Sequence, residues 1–597
     1  MRHTTYRTTI ALGALGLAAV VAGCGGGGSS STLPQTSPTV VPTSGSAPSS
    51  GKQYANVLFT IQWPTVAAAS ASSRHRQYLS PSTESITISV NGGTPLVVPN
   101  PNVGGGTTAT SAPSTNVTVV APVGSDTFAV DDYDTTTGTG GNLLAQNAIP
   151  YTVVMGAANV VPITLNGNLA KVFCSGVGPY LAPAGISTAS PQAFTVTGPA
   201  GQMNVIPEDA DSNIIVSPGI LPSLSLAAAT PSQASISATS SANQFTVNPT
   251  VVGTAVTLNA SGKNLAGATI SNSCTITRQL AIYVTNHFNN AVGSTQASTA
   301  AQSASVTVYP ATATGSATPI ATIQGSNTQL AAVQFIAVDP SGNIFVSNLG
   351  PQPGATFGPT SGFISIYGAG ANGNVAPVNT IPNLQTPEGL AFDSNGMLYA
   401  LSIDRIQEYP ASSDGVTAGG SPAPAVPTTV IAGSNSDLYS CYGVAVGTDF
   451  TVAAACSDVA EIFAPGSAGN VAPGVIEVVG MTAMSFASDS WLGVAIDGSG
   501  NIALPGSNNN QDNVSVYTAA DAPSPGSDAT PVPTTSTVKT DFSQPFGIAV
   551  DPNGVYYVVN YGNNSMSTFT SVTNLELGVG TENALTGLNN PYGIAVR

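Results

Sequence analysis

Along residues 280–597 the chain alternates short apolar runs with polar turns, and one phrase keeps returning. Its fullest copy is Gly547-Ile548-Ala549-Val550, the turn Asp551-Pro552-Asn553-Gly554, and a second run from Val555 to Asn560. Short apolar runs flanking such a turn predict paired strands, because Asp, Pro and Gly supply the reversal and β-branched residues fit a pleated backbone. The phrase also opens at Phe335, Gly389, Gly443, Gly493 and Gly593, so successive copies lie 54, 54, 50, 54 and 46 residues apart.

Each repeat predicts four strands. The third ends in an aromatic residue (Tyr309, Tyr367, Tyr409, Phe463, Tyr517 and Phe569), and the fourth often follows a proline, as at Pro319 and Pro377. Four strands per 46 to 54 residues make one blade of a β-propeller, and six aromatics make six blades. The region opens after Leu280 with Ala281-Ile282-Tyr283-Val284-Thr285-Asn286, a second strand lacking its first. It closes with Gly593-Ile594-Ala595-Val596-Arg597, a first strand lacking its second. Pairing the two completes a blade and leaves no open edge, whereas a linear solenoid needs capping units.

The phrase resembles that of the NHL-repeat family of six-bladed propellers, over residues 280–597. The resemblance implies a fold but no single function, since the family includes protein and RNA binders, lyases and sugar-lactone hydrolases. The recurring Asp339, Asp393, Asp497 and Asp551 are expected to hydrogen-bond their own turns. The glycines open the inner strands, where blades crowd together.

Upstream, alternation predicts strands at Asn56–Trp63, Ser85–Val90, Asn116–Val120, Thr127–Asp132, Ile149–Val154 and Val160–Leu165. Six or seven short strands over residues 53–170 fit an Ig-like β-sandwich. Residues 171–279 read similarly and predict a second, although 53–279 could equally be one unit. Cys174 and Cys274 fall near its first and last strands and are expected to pair. Pairing residue 446 with 451 across a turn sets Cys441 opposite Cys456, a candidate cross-strand disulfide. Two acidic clusters, Asp131-Asp132-Tyr133-Asp134 and Glu208-Asp209-Ala210-Asp211-Ser212-Asn213, read as polar turns. The second opens like an EF-hand, but Ile214 and Ile220 stand where that loop needs Gly and Glu. His75, between two arginines, reads as a solvated loop.

Composition changes the picture at the N-terminus. Arg2 and Arg7 precede a short apolar run, Ile10 to Ala22, that ends in Val21-Ala22-Gly23-Cys24. This is similar to the lipobox of bacterial lipoproteins, which implies a signal peptide over 1–23, lipidation of Cys24 and an anchor facing outside the cytoplasm. Gly25 stands where Asp would favour inner-membrane retention, so the outer membrane is expected in a Gram-negative host. Residues 24–52 are mostly Gly, Ser, Thr and Pro, the composition of a flexible tether with an r.m.s. span of roughly 30 Å. Only 7% of residues are charged and the net charge is −17. Nucleic acid, which demands Lys and Arg clusters, is therefore not an expected partner.

Strand counting places the residues before each first strand and the ends of each second strand on one face of the disc. That channel mouth carries Gln334, Glu388, Tyr442, Leu492, Phe546 and Tyr592, with Asn286, Asn348 and Asn560 as further binding-face candidates. The connections His287–Ser303, Leu349–Gly362 and Ser507–Asn513 emerge there, and long loops on rigid scaffolds are where binding resides. Packing between blades is the competing account of the three aromatics. The propeller contains one histidine, His287, and neither H-E-x-x-H nor G-x-S-x-G is present. No catalytic residue or metal ligand is assigned and no cofactor is called for, with calcium left open. Binding of a protein or glycan is favoured; a hydrolase or lyase with a channel-mouth metal, and a structural envelope component, are the alternatives.

Overall fold

The computed structural model describes residues 51–63, 79–103, 114–181, 192–216, 221–287, 304–350, 362–410, 426–456, 459–477, 493–508, 511–519, 528–529, 535–538, 542–577 and 580–597. The leader, Cys24, nearly all of the tether, His75 and Leu492 lie outside them, as does most of the three mouth connections. The described chain is almost entirely strand and turn, with one short α-helix at Val572–Leu577 and a few single 3-10 turns.

Residues 54–167 form two sheets that share a core. A three-stranded sheet sets Tyr54–Gln62 between Ser114–Pro122, antiparallel, and Asn159–Val161, parallel. The other holds Leu96–Pro99, Ser85–Val90, Gly124–Tyr133, Leu143–Val153 and Asn166–Gly167, in that order. Eight strands thus stand where six or seven were expected. The strand foreseen at Val160–Leu165 stops at Val161, because Pro162 has no N–H to continue the ladder. Residues 171–279 add two four-stranded sheets. The Cys174–Cys274 disulfide joins Lys171–Val177 in one to Thr269–Gln279 in the other. A single apolar cluster, from Val57 through Leu169 to Ile276, runs through both regions.

The first acidic cluster folds differently from its reading as a turn, and the second folds as read. Asp131 and Asp132 lie within the strand Gly124–Tyr133, and Asp132 is fully buried. Asp209 does cap a turn, accepting from the backbone N–H of Asp211 and Asn213. Ser80 links the clusters: its hydroxyl donates to Asp209 at 2.7 Å, and its N–H lies 3.4 Å from an Asp132 oxygen. Burial, joined by the charge of Asp209, pushes the Asp132 carboxyl well above the usual range.

Residues 281–597 form six sheets, each containing four antiparallel strands, the arrangement of propeller blades. Sheet I comprises Val333–Val338, Ile344–Asn348, Gly362–Tyr367 and Asn379–Leu384; sheet II comprises Pro387–Phe392, Leu398–Ser402, Arg405–Tyr409 and Thr429–Ala432. Sheet III holds Cys441–Val446, Val452–Cys456, Val459–Phe463 and Gly474–Glu477, with Asp528–Ala529 added in parallel. Sheet IV holds Ala495–Ile496, Ile502–Asn508, Gln511–Tyr517 and Thr535–Val538; sheet V holds Pro545–Val550, Tyr556–Asn560, Ser565–Phe569 and Thr581–Thr586. Sheet VI joins the ends of the region: Pro591–Val596 pairs with Ala281–Asn286, followed by Ser305–Pro310 and Ala321–Ile323.

The six third-strand aromatics are all buried. Asp339, Asp393, Asp497 and Asp551 each accept a backbone N–H from the residue four positions on, which closes the turn. First strands of successive sheets touch, and Pro591–Val596 touches both Pro545–Val550 and Val333–Val338. A Cβ on Gly547 would lie 2.5 Å from the Tyr592 carbonyl oxygen, and one on Gly593 would lie 2.7 Å from the Phe335 Cα. Only glycine permits that approach.

Candidate functional site

The mouth is built by a repeated entry into the first strand. In sheets I, II, III, V and VI the residue leading into it has a positive φ: Ala332 (51°), Thr386 (42°), Ser440 (56°), Gln544 (47°) and Asn590 (48°). None is glycine, and Thr386 is β-branched, a conformation that costs energy wherever it occurs. Its recurrence marks it as part of how the sheets are joined. The next position pairs with the end of the second strand, and a bulge or irregularity follows.

The second-strand asparagines serve this entry. Asn348 Nδ2 donates to Ser365 at 3.1 Å while its oxygen accepts the Ala331 N–H at 2.9 Å. Asn560 donates to Ser565 and Ser567 and accepts from Ser543. Asn286 donates to Ser305 and Thr307 and accepts from Asn589. All three are buried. Each amide staples the incoming loop to the third strand, so the hydrogen bonds of these candidates are made within the fold.

The residues just inside the entry occupy equivalent positions and form one layer: Gln334, Glu388, Tyr442, Phe546 and Tyr592. Phe546 stacks on Tyr592 at 5.0 Å, Phe335 meets Tyr592 edge-on at 5.9 Å, and Tyr561 meets Phe546 at 4.9 Å. Tyr442 packs against the same cluster. Packing between sheets therefore does account for the aromatic candidates. Phe335 was the missed member; it is the one bulky residue in a column otherwise made of glycine, which is visible in the repeat alignment.

The polar members differ. Gln334 is 1% exposed, its Oε1 has no hydrogen-bond partner among the described residues, and its amide nitrogen lies 3.2 Å from His287 Nδ1. Glu388 is 5% exposed, its Oε2 is likewise without a partner among the described residues, and burial pushes its carboxyl well above the usual range. At the entry and second-strand end of the same sheet, Thr386 Oγ1 and Ser402 Oγ are buried and without a partner among the described residues. Buried polar groups are ordinarily paired, so their concentration here is unusual. His287 lies 5.1 Å from the Tyr592 ring and 2.7 Å from the Val333 carbonyl oxygen.

Outside the layer, Tyr439 is 81% exposed just ahead of sheet III, and Ile403 is 39% exposed in the mouth-side turn of sheet II. Both fall in connections that the repeat phrase does not cover. Among the described residues no three His, Cys, Asp or Glu side chains come together as a metal site.

No protein-family model matches the chain, and no curated protein matches it. Among solved structures, a virginiamycin B lyase from Staphylococcus aureus is 14% identical, covering 45% of this chain and 74% of its own, with a TM-score of 0.27. A streptogramin B lyase structure is 13% identical over 62% of this chain and 90% of its own, also at 0.27. A DUF4784 family protein from Bacteroides caccae is 9% identical over 72% and 99%, at 0.29. At these scores the likeness carries no argument about fold or chemistry.

Proposed function

We propose that this is an extracytoplasmic binding protein, lipid-anchored through Cys24, in which two Ig-like sandwiches over 53–170 and 171–279 present a closed six-bladed propeller of residues 280–597 to a protein or glycan. Closure is supported by the pairing of Pro591–Val596 with Ala281–Asn286 and by the contacts between successive first strands. Export is supported by the lipobox-like leader and by the Cys174–Cys274 and Cys441–Cys456 disulfides. Outer-membrane placement follows from Gly25 if the host is Gram-negative.

The observation that carries the binding reading is the mouth layer. Gln334 and Glu388 bring buried polar atoms, unpartnered among the described residues, to equivalent positions of adjoining sheets beside an aromatic cluster, and Tyr439 and Ile403 are exposed in the connections of sheets II and III. Rigid aromatics with a few convergent polar groups are the chemistry of a recognition site. The test is affinity capture from native envelope and a glycan array, using the wild-type chain, Tyr439→Ala and Glu388→Ala. Capture lost in both variants, with unchanged circular dichroism, supports the reading; capture that survives both would count against it. Stoichiometric calcium or zinc in the purified protein, released by Glu388→Ala, would favour the hydrolase or lyase alternative.

A further inference from the structure

The first sandwich region has an apolar end that its fold does not use. Of the twelve large apolar side chains exposed among the described residues, six belong to one corner of this region: Tyr54, Val120, Val123, Val154, Met155 and Val160. The register brings them together. Tyr54 pairs with Pro122, beside Val123, whose N–H donates to the Gln53 carbonyl. Gly124 pairs with Val153, which places Val154 and Met155 at the same end. Val120 faces Asn56, and Val160 faces Leu58, on the outer side of the three-stranded sheet. Met155 and Val154 are about half exposed, at 49% and 50%.

The charge pattern agrees with the apolar one. The segments 51–63, 114–125 and 150–161 contain no Asp or Glu and one cation, Lys52, and the neighbouring Asp126, which pairs with Tyr151, is buried and accepts from the Asn91 amide. An apolar tip with an interfacial tyrosine and a lysine, its one neighbouring acid turned inward, matches the boundary between lipid headgroups and acyl chains. It is also the end at which the chain enters from Cys24, 27 residues before Gly51. A tether of that length and composition has an r.m.s. span of roughly 30 Å, so an anchored chain keeps this corner within reach of the bilayer.

We propose that this corner seats on the lipid bilayer and so fixes the orientation of the sandwich at the membrane. The inference rests on the proposed anchor only for bringing the chain to a membrane. The test uses the full chain reconstituted in vesicles of phosphatidylethanolamine and phosphatidylglycerol, with an environment-sensitive dye on Met155→Cys. Val252→Cys, exposed on the second sandwich region, is the control. Flotation with the vesicles reads the anchor, whereas dye emission and quenching by a lipid-borne quencher read the corner. The expected result is a blue-shifted, quenched dye at 155 and a water-like dye at 252. Tyr54→Asp with Val154→Asp should lower the quenched fraction by about tenfold without stopping flotation.

Water-like emission at 155 on floating protein would overturn the proposal. A blue shift without vesicles, accompanied by doubled mass in light scattering, would overturn it in favour of a second copy on this face. If the chain does not float, the anchor reading fails alone. A polyhistidine tag at position 24 and a nickel-chelating lipid then supply the tether, and the same dye readings decide the question.

Discussion

Cys441 stands opposite Cys456 at the register position where Val333 faces Asn348 and Pro545 faces Asn560. In sheet III a covalent bond thus replaces the amide staple of sheets I, V and VI. The third strand has changed with it: two residues before its aromatic end, Glu461 stands where sheets I and V have Ser365 and Ser567. The route to this pairing differs from uniform register. Val446 pairs with Val452, not with residue 451, and a shift between Cys441 and Gly443 restores the alignment of the cysteines.

Removing the bond by Cys441→Ala with Cys456→Ala should therefore leave sheet III without any staple. Closing a loop of this size is worth about 3 kcal/mol in the chain-entropy model. A loss of that order is expected in equilibrium urea unfolding under oxidising conditions. Coincident wild-type and mutant curves would show that the bond adds nothing to the fold.

The amide staples make a parallel prediction. Asn348→Ala removes the acceptor of the part-buried Ala331 N–H and the donor to the buried Ser365, which keeps its bond to the Val346 carbonyl. A buried group left unsatisfied costs roughly 1–3 kcal/mol. The same range is expected for Asn560→Ala. Urea midpoints that shift by less than the fitting error would mean that these side chains are spectators.

The repeat sheets were legible because their signals are local. Asp551 and Gly554 announce a turn, and Phe569 announces the end of a third strand, whatever surrounds them. The mouth was less legible. Asn348 and Gln334 look alike in a sequence, yet one is saturated by Ser365 and Ala331 while the other keeps an unpartnered oxygen. That difference comes from the positive-φ entry at Ala332, which no residue type advertises. The link between Asp132 and Asp209 through Ser80 was hidden for another reason, since it joins residues brought together only by the packing of two sheet pairs.

The glycine column makes the sharpest steric prediction. Gly547→Ala would push a methyl group to 2.5 Å from the backbone oxygen of Tyr592, which the neighbouring strand cannot move without breaking its own ladder. Overpacking against backbone should cost about 3 kcal/mol or more. Gly554→Ala is a useful comparison: it meets nothing within 4 Å but has a φ of 80°, so its cost is conformational alone. The first substitution is expected to be the more damaging in thermal unfolding, and the reverse order would contradict the crowding of first strands.

Glu388 links the mouth to pH. Its carboxyl is buried and raised well above the ordinary value of 4.5, and burial is the cause. Below that ordinary value the group is protonated both folded and unfolded, so it adds no pH dependence. Between the ordinary and the raised value the folded protein holds a proton that the unfolded chain has released. The unfolded state then binds fewer protons, and stability must fall as pH rises through this window. Above the raised value the loss levels off. Glu388→Gln keeps the shape and removes the titration, so the variant should match wild type near the ordinary value and become progressively more stable than wild type at higher pH. Asp132 is present in both proteins and cancels from the comparison. Unfolding free energies measured from acid to mildly alkaline pH give the difference directly, and parallel profiles would show that the Glu388 carboxylate is solvated in the native state.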